Sequence, residues 1–232
     1  MIENFINKIK EYKINPTIIF DIGSRDLNES IAFRQYYPNA EIYAFEPNPE
    51  QSNECYIKAN QYNIKFFNKA ITDNIGQNDF FAVQKNGPNP NIGASALSYF
   101  SEEQLSYWKE VDPNSQPNVK TYKIQTTSLD CFCEQNNIFN IDALWMDVQG
   151  YELKVLEGGR KILKNIKIIH TELSFKKFYN ETAYYPEVKS FLEKNNFIEV
   201  WNRNEYHPEY KNFRHRMEVG LTDSIFLNSQ LL

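Results

Sequence analysis

Four acids stand at or near the ends of apolar runs. Asp21 follows Thr17-Ile18-Ile19-Phe20, and Glu46 follows Ile42-Tyr43-Ala44-Phe45. Asp147 follows Ala143-Leu144-Trp145-Met146, and Glu172 lies near the end of Ile166–Leu173. A carboxylate in such a place can accept hydrogen bonds from the two hydroxyls of a ribose, attract a cation, or take a proton from a hydroxyl. In an open parallel sheet the carboxyl ends of the strands converge on one crevice, so acids far apart in sequence can meet there. One acid alone would serve equally well facing water or capping a helix; four behind apolar runs point to a shared site. Glu46 has the position of a ribose-binding acid. Gly23, without a side chain, lets the backbone approach a ligand closely. His170 is the first candidate for a general base, because its unperturbed pKa lies near neutrality; Asp147 and Glu172 are alternatives. A lone histidine inside an apolar strand is more often a packed core residue. Strand alternation puts His170 and Glu172 on one side. Asp147, Glu172 and Asp223 have oxygens that suit a divalent cation, but their spacing matches no metal motif, so no metal is assigned. Ser95 and Tyr99, with Asn89 and Asn91, can hydrogen-bond a polyhydroxylated acceptor, and Tyr184, Tyr185 and Trp201 can stack on one. The tract holding His207, Arg214, His215 and Arg216 reads as a solvated loop or a subsite for an acidic substrate.

These residues need elements to hold them. Thr17–Phe20 and Glu41–Phe45 read as strands around a helix carrying Ile31, Phe33 and Tyr36, the first half of a nucleotide-binding α/β unit. Asp26 or Asn28 can cap that helix. Ile2, Phe5, Ile6 and Ile9 share one face of an N-terminal helix within residues 1–13, expected to cover the sheet edge or a substrate entrance. A helix from about Glu50 to Asn60 leads to a third strand, Ile64–Ile71. Asp79–Val83 reads as an antiparallel strand, and Lys85–Gly93 as an exposed loop able to carry binding groups. Further helices are expected at Glu102–Glu110, Ser128–Gln135, Leu153–Ile162 and from Tyr185-Pro186 onward. Further strands are expected at Thr121–Thr127, Ala143–Val148, Ile166–Leu173, Phe197–Trp201 and Ser224–Leu227. Strands alternating with helices give an α/β chain: a mainly parallel sheet, helices on both faces, and the last two strands an antiparallel pair at one edge. The expected organisation is one domain over 1–232, with the N-terminal helix, a core at 17–227 and a loop and hairpin insertion at about 79–127.

Composition narrows the classes. A length of 232 residues suits one large α/β domain, and 41% hydrophobic residues allow an ordinary core. A net charge of -5 without a dense basic block argues against a dedicated nucleic-acid binder. Three cysteines, Cys55, Cys131 and Cys133, form no disulfide framework or zinc knuckle and read as free thiols. The N-terminus lacks the pattern of a secretory signal, and no apolar run reaches the length of a membrane span. A soluble, cytoplasmic protein is expected.

One ordered series is more specific. Asp21-Ile22-Gly23-Ser24, Phe45-Glu46-Pro47, Ile92-Gly93-Ala94-Ser95 and Thr127-Ser128-Leu129-Asp130 precede Leu144-Trp145-Met146-Asp147-Val148-Gln149-Gly150-Tyr151-Glu152. Leu156-Glu157-Gly158-Gly159 and Thr171-Glu172 follow. The series resembles the FkbM-type family of S-adenosylmethionine-dependent methyltransferases, over roughly Thr17 to Phe226. The resemblance implies a Rossmann-like class I methyltransferase fold, a seven-stranded sheet with its last strand antiparallel. It also implies roles. Asp21, Gly23, Ser24 and Arg25 would line the methionine end of the cofactor. Glu46, with Pro47, would hold the ribose, and Asn68, Lys69 and Ala70 would flank the adenine. Asp147 and Gln149 would sit beside the methionine portion and the transferable methyl. The family's first loop usually has a second glycine where this chain has Leu27, which puts a side chain near the cofactor or changes the loop path.

The leading reading is methyl transfer from S-adenosylmethionine to a hydroxyl on a small-molecule or glycan acceptor, the sugar resting on family habit. A nicotinamide-dependent dehydrogenase shares the strand, loop and ribose-acid logic. Its pyrophosphate, however, needs a glycine-rich turn at a helix N-terminus, and this chain offers only Gly23 before Asn28. A degenerate module that binds a cofactor or partner is the third reading, supported by Leu27.

Overall fold

The computed structural model describes residues 1–87, 90–114, 116–203 and 220–231. A seven-stranded sheet runs through it in the order β3 (Lys65–Phe67), β2 (Glu41–Phe45), β1 (Ile18–Ile22), β7 (Ile141–Met146), β8 (Ile166–Ser174), β10 (Leu221–Asn228), β9 (Phe197–Asn202). The first five are parallel. β10 is antiparallel to both of its neighbours, β8 and β9. The central strands are covered on both sides, which is why they read as continuous apolar runs rather than alternating ones.

Among the described residues, three helices cover each face. On one, α1 (Ile2–Glu11), α2 (Asn28–Tyr36) and α3 (Ser52–Tyr62) pack over Ile19, Ile42, Trp145, Ile168 and Ile225. On the other, α5 (Leu129–Gln135), α6 (Glu152–Glu157) and α7 (Tyr185–Lys194) pack over Phe20, Leu144, Ile169 and Phe226. Phe5, Ile6 and Ile9 of α1 are wholly buried, each contributing about 1.5–3 kcal/mol. Phe5 meets Phe33, Trp145 and His170 edge-on. Of the two expected places, sheet edge or substrate entrance, the first does not hold: helix α1 lies over the middle of a sheet face. An amphipathic stripe gives a helix's buried side but not its address.

The expected third strand divides. Ile64–Ile71 becomes β3 in the main sheet and β4 (Ala70–Thr72) in a second sheet, broken at Asn68-Lys69. That second sheet has the order β4, β6 (Val119–Ser128), β5 (Gly76–Val83). The inserted structure thus begins before residue 79. Between β5 and β6 lies α4 (Glu102–Val111), which has no buried residue of its own. Ser101 caps it, accepting from Gln104 N at 3.1 Å.

At the amino end of the main sheet, Asp142 is fully engaged. Its Oδ2 accepts from Thr17 N, Thr17 Oγ1 and Ile18 N at 2.7–3.0 Å, and Oδ1 meets Lys167 Nζ at 2.6 Å. Burial pushes this acid up, but Lys167 and the Thr17 bonds outweigh that and hold it below the usual carboxylate range.

Candidate active site

At the opposite end the acids behave otherwise. Side chains alternate along a strand, so those two positions from Ile19, Ala44, Trp145, Ile168 and Ile225 share the α1–α2–α3 face. That places Asp21, Glu46, Asp147, His170, Glu172 and Asp223 on one side of the sheet. Across the strands the carboxylates follow in the order Glu46, Asp21, Asp147, Glu172, Asp223, with Glu172 and Asp223 directly paired in register. Burial pushes Asp21 up to about 8 and Glu46 up to about 7. It also raises Asp147, and lifts Glu172 well above the usual range, with Asp147 and Asp223 adding to the effect on Glu172. The charge of Asp147 acts on Asp21, Glu46 and Glu172 alike. Asp142 in the same sheet is fully paired and depressed; at this rim Asp21, Glu46, Asp147 and Glu172 are buried and raised, so they resist losing a proton until a positive partner arrives. A ligand with a positive charge is what this rim would stabilise.

Two loops shape the rim. Gly23 follows β1 at φ 86°, and its N–H donates to Phe45 O at 2.9 Å. A Cβ there would stand 1.8 Å from the backbone oxygen of Asp147. The glycine is required by the neighbouring strand's backbone, where the sequence suggested only room for a ligand. Arg25 and Leu27 continue the loop at φ 46° and 65°. Leu27 thus keeps a left-handed conformation that favours glycine, and its side chain is wholly buried in the cluster with Phe5 and Phe33. It does not line the cavity. Leu27 also occupies the position before α2, with no side-chain cap; Asp26 Oδ1 accepts from Asn28 N at 3.3 Å.

The same loop orients Glu46. Its Oε2 accepts from Arg25 N at 2.9 Å and its Oε1 from Asn48 N at 2.7 Å. Each oxygen keeps a lone pair for a further donor. Asn68 Nδ2 donates to Glu46 O at 2.7 Å and so holds the strand end.

After β7, Gln149 and Gly150 take φ 55° and 100°. Buried Glu152 accepts from Val148 N at 3.3 Å and Gly150 N at 3.2 Å, pinning the turn. Gln149 is thereby aimed along the rim. Its Nε2 donates to Asp147 Oδ1 at 2.6 Å and Glu172 Oε2 at 3.3 Å, and its Oε1 accepts from Tyr179 Oη at 2.8 Å.

A cavity opens above this rim. Gly23, Arg25, Glu46, Pro47, Lys69, Ala70, Asp147 and Gln149, all expected at the cofactor, line it, as does Ser95. Ile22, Phe45, Ile71 and Leu97 supply apolar wall. Asp21, Ser24 and Asn68 do not line it. Asp21 is wholly buried beneath, its Oδ2 accepting from Ser30 Oγ at 2.5 Å, and Ser24 is buried beside it. A second cavity, bounded by Phe100, Trp108, Phe178 and Tyr179, adjoins the first at Gln149, which lines both.

His170 cannot touch a substrate from where it sits. Its side chain is 1% exposed, its ring stacks on Trp145 at 3.5 Å, and Phe5 covers it. Nε2 lies 3.2 Å from Asp223 Oδ1, but off the line of a hydrogen bond. Asp223 is raised by burial, then brought below its usual range by His170 and Arg203. Glu172 is half-buried beside Gln149, which lines both cavities, but lines neither itself. Tyr99 lies outside both linings, its ring against Phe81 and Phe100. Tyr185 is also outside them, its hydroxyl donating to Glu199 at 2.8 Å. Trp201 packs into the core. Asn89, His207, Arg214, His215 and Arg216 fall outside the described residues. Tyr179 and Trp108 were not anticipated; neither stands in a motif or a periodic run, and only the fold brings them to Gln149. Among the described residues, no three His, Cys, Asp or Glu side chains are grouped to hold a metal ion, and no helix is long and apolar enough to cross a membrane.

The Methyltransferase FkbM domain model matches residues 21–199, most of the chain and every rim acid except Asp223. The chain belongs to the FkbM methyltransferase family. It is 30% identical over 163 residues to the 2-O-methyltransferase NoeI of Sinorhizobium fredii, covering 70% of this chain and 65% of that protein. The chain therefore spans a little under two thirds of that curated relative. Among solved structures, an S-adenosylmethionine-dependent methyltransferase from Clostridium acetobutylicum is similar at TM-score 0.53 and 7% identity, over 97% of this chain and 89% of that one. Methyltransferase FkbM from Methylobacillus flagellatus is similar at TM-score 0.50 and 11% identity, over 91% and 44% respectively. These likenesses show the Rossmann-like methyltransferase fold.

Proposed function

We propose that this FkbM-family chain transfers a methyl group from S-adenosylmethionine to a hydroxyl oxygen of a sugar. The observation that carries the reading is the rim itself: Glu46 and Asp147, raised by burial, line one cavity with apolar walls, and Asp21 and Glu172, also raised, stand beside them. That cavity fits the cofactor chemically, since a positive sulfur is stabilised by the acids and an adenine by the apolar side. The sugar acceptor is supported by the 2-O-methyltransferase relative and by the aromatic cavity beyond Gln149.

When bound, S-adenosylmethionine supplies an electrophilic methyl: the carbon–sulfur bond breaks, sulfur keeps its electron pair, and a carbon–oxygen bond forms to the acceptor. The protein's part is alignment and one proton. Glu46 accepts from the ribose hydroxyls, held for this by the Arg25 and Asn48 amides. Lys69 and Ala70 flank the adenine, and Gly23, Arg25 and Asp147 receive the methionine end. Glu172 takes the acceptor's proton, since it stands beside Gln149, where the two cavities meet. Gln149 holds Glu172 and Asp147 in fixed relation across the junction of the two cavities.

Isothermal titration with S-adenosylmethionine, S-adenosylhomocysteine and NAD tests the reading. The first two should bind and NAD should not. Binding of none of them would leave a degenerate module, and binding of NAD alone an oxidoreductase.

A further inference from the structure

The second cavity has a construction of its own. One wall is α4, which presents Gln104, Tyr107 and Trp108. The other is the segment after β8, with Phe178 and Tyr179. The two walls are fastened together. Ser101 Oγ, which caps α4, donates to Lys177 O at 2.5 Å, and Ser101 N donates to Phe178 O at 2.9 Å. Phe100 and Tyr179 form a β-bridge, and their rings stack at 5.2 Å. Trp108 meets the Phe100 ring edge-on at 4.9 Å. A line of fixed contacts therefore runs from Trp108 through Phe100 and Tyr179 to Gln149. At its end, the Tyr179 hydroxyl lies 2.8 Å from Gln149 Oε1 and 3.1 Å from Ala94 O, and the Gln149 amide nitrogen lies toward Asp147 and Glu172.

Flat rings interleaved with amide, carboxyl and ammonium groups, the last from Lys176 and Lys177, suit a ligand with apolar C–H faces and hydroxyl edges. Such a ligand is a pyranose. Bases of single-stranded RNA also stack on aromatic rings, and Lys176 and Lys177 line the cleft, but RNA affinity rests on many cations over phosphate, and the chain carries a net charge of -5 without a dense basic block. Tyr107, 58% exposed, extends the aromatic surface outward beyond Trp108.

We infer that the cleft between α4 and residues 176–179 is an oligosaccharide site, built around Trp108 and Tyr107. It presents one sugar hydroxyl at the Gln149 junction, and Tyr179 acts as the positioning residue that couples the cleft to the rim. This rests on the proposed sugar methylation and names the residues that select its acceptor.

The probe is an array of immobilised oligosaccharides, with poly-A and poly-U RNA spotted beside them, incubated with the full chain and S-adenosylhomocysteine. The wild type should bind at least one oligosaccharide class and neither RNA. Trp108→Ala and Tyr107→Ala should each lower that binding at least tenfold. Both should keep the affinity for S-adenosylhomocysteine within twofold and the melting temperature near wild type. Tyr107 is exposed, so its variant remains a fair test should the Trp108 variant prove unstable. No oligosaccharide bound, RNA bound in preference, or both variants binding as wild type would each overturn the inference. Oligosaccharide binding without any binding of S-adenosylhomocysteine would instead remove the methyltransferase reading and leave the cleft standing.

Discussion

The backbone oxygen of Asp147 occupies the space that a side chain on Gly23 would need, 1.8 Å from where its Cβ would lie. The two loops at the centre of the rim are therefore held against each other by a missing atom. Gly23→Ala must either part the loops or strain a residue at φ 86°. A loss of about 2–4 kcal/mol is expected in urea denaturation, with weakened cofactor binding. Unchanged stability would mean that the Asp147 backbone yields freely.

Leu27 separates packing from backbone strain. Leu27→Ala should cost about 3 kcal/mol, because it empties a wholly buried site and keeps φ at 65°. Leu27→Gly empties the same site but relieves the strain, and should be the more stable of the two by about 1 kcal/mol. The opposite order in chemical denaturation would show that the left-handed conformation costs nothing here.

Glu46→Ala should weaken S-adenosylhomocysteine binding at least tenfold by calorimetry while far-ultraviolet circular dichroism stays that of the wild type. The side chain supports a ligand more than it supports the fold, since its two internal bonds come from loop amides. Wild-type affinity would take Glu46 out of the ribose role.

Glu172→Gln removes the proposed base and keeps the side chain's shape. Turnover should fall by about 10²–10⁴, with cofactor affinity preserved. Asp147→Asn should abolish turnover too, but through the methionine end, so cofactor affinity should fall with it. Activity surviving in Glu172→Gln would transfer the base role to Asp147.

The raised acids predict opposite pH trends for stability and for binding. Asp21, at about 8, and Glu46 and Glu152, at about 7, hold protons in the fold that the unfolded chain releases near pH 4. The folded state binds more protons between those limits, so the ligand-free protein should lose stability as pH rises from about 4 to 8. A positive ligand favours the deprotonated rim, so S-adenosylmethionine affinity should rise over pH 6–8 and binding should release protons. Calorimetry in buffers of different ionisation enthalpy measures that release directly; its absence would mean the rim is already charged.

Much of the architecture was legible because the central strands are buried on both faces and stand out as apolar runs ending in acids. Asp21, Glu46, Asp147 and Glu172 could be aligned from that pattern alone. What it hid was depth. The same alternation that put His170 beside Glu172 could not say that Trp145 and Phe5 enclose its ring, nor that Asp21 sits a layer beneath the cavity. The break at Asn68-Lys69 was also unreadable, since Ile64–Ile71 is equally apolar on either side of the switch between sheets. Tyr179 and Trp108 carry no local pattern, and their meeting depends on Ser101 tying two distant segments.

Among the described residues, β10 lies between β8 and β9, and β9 pairs with β10 alone. During synthesis residues 197–202 therefore emerge before residues 221–228, the strand they pair with among the described residues. The same late arrival delivers Asp223 to Glu172, so the nascent chain cannot assemble its full complement of charge until the sheet's final slot is filled.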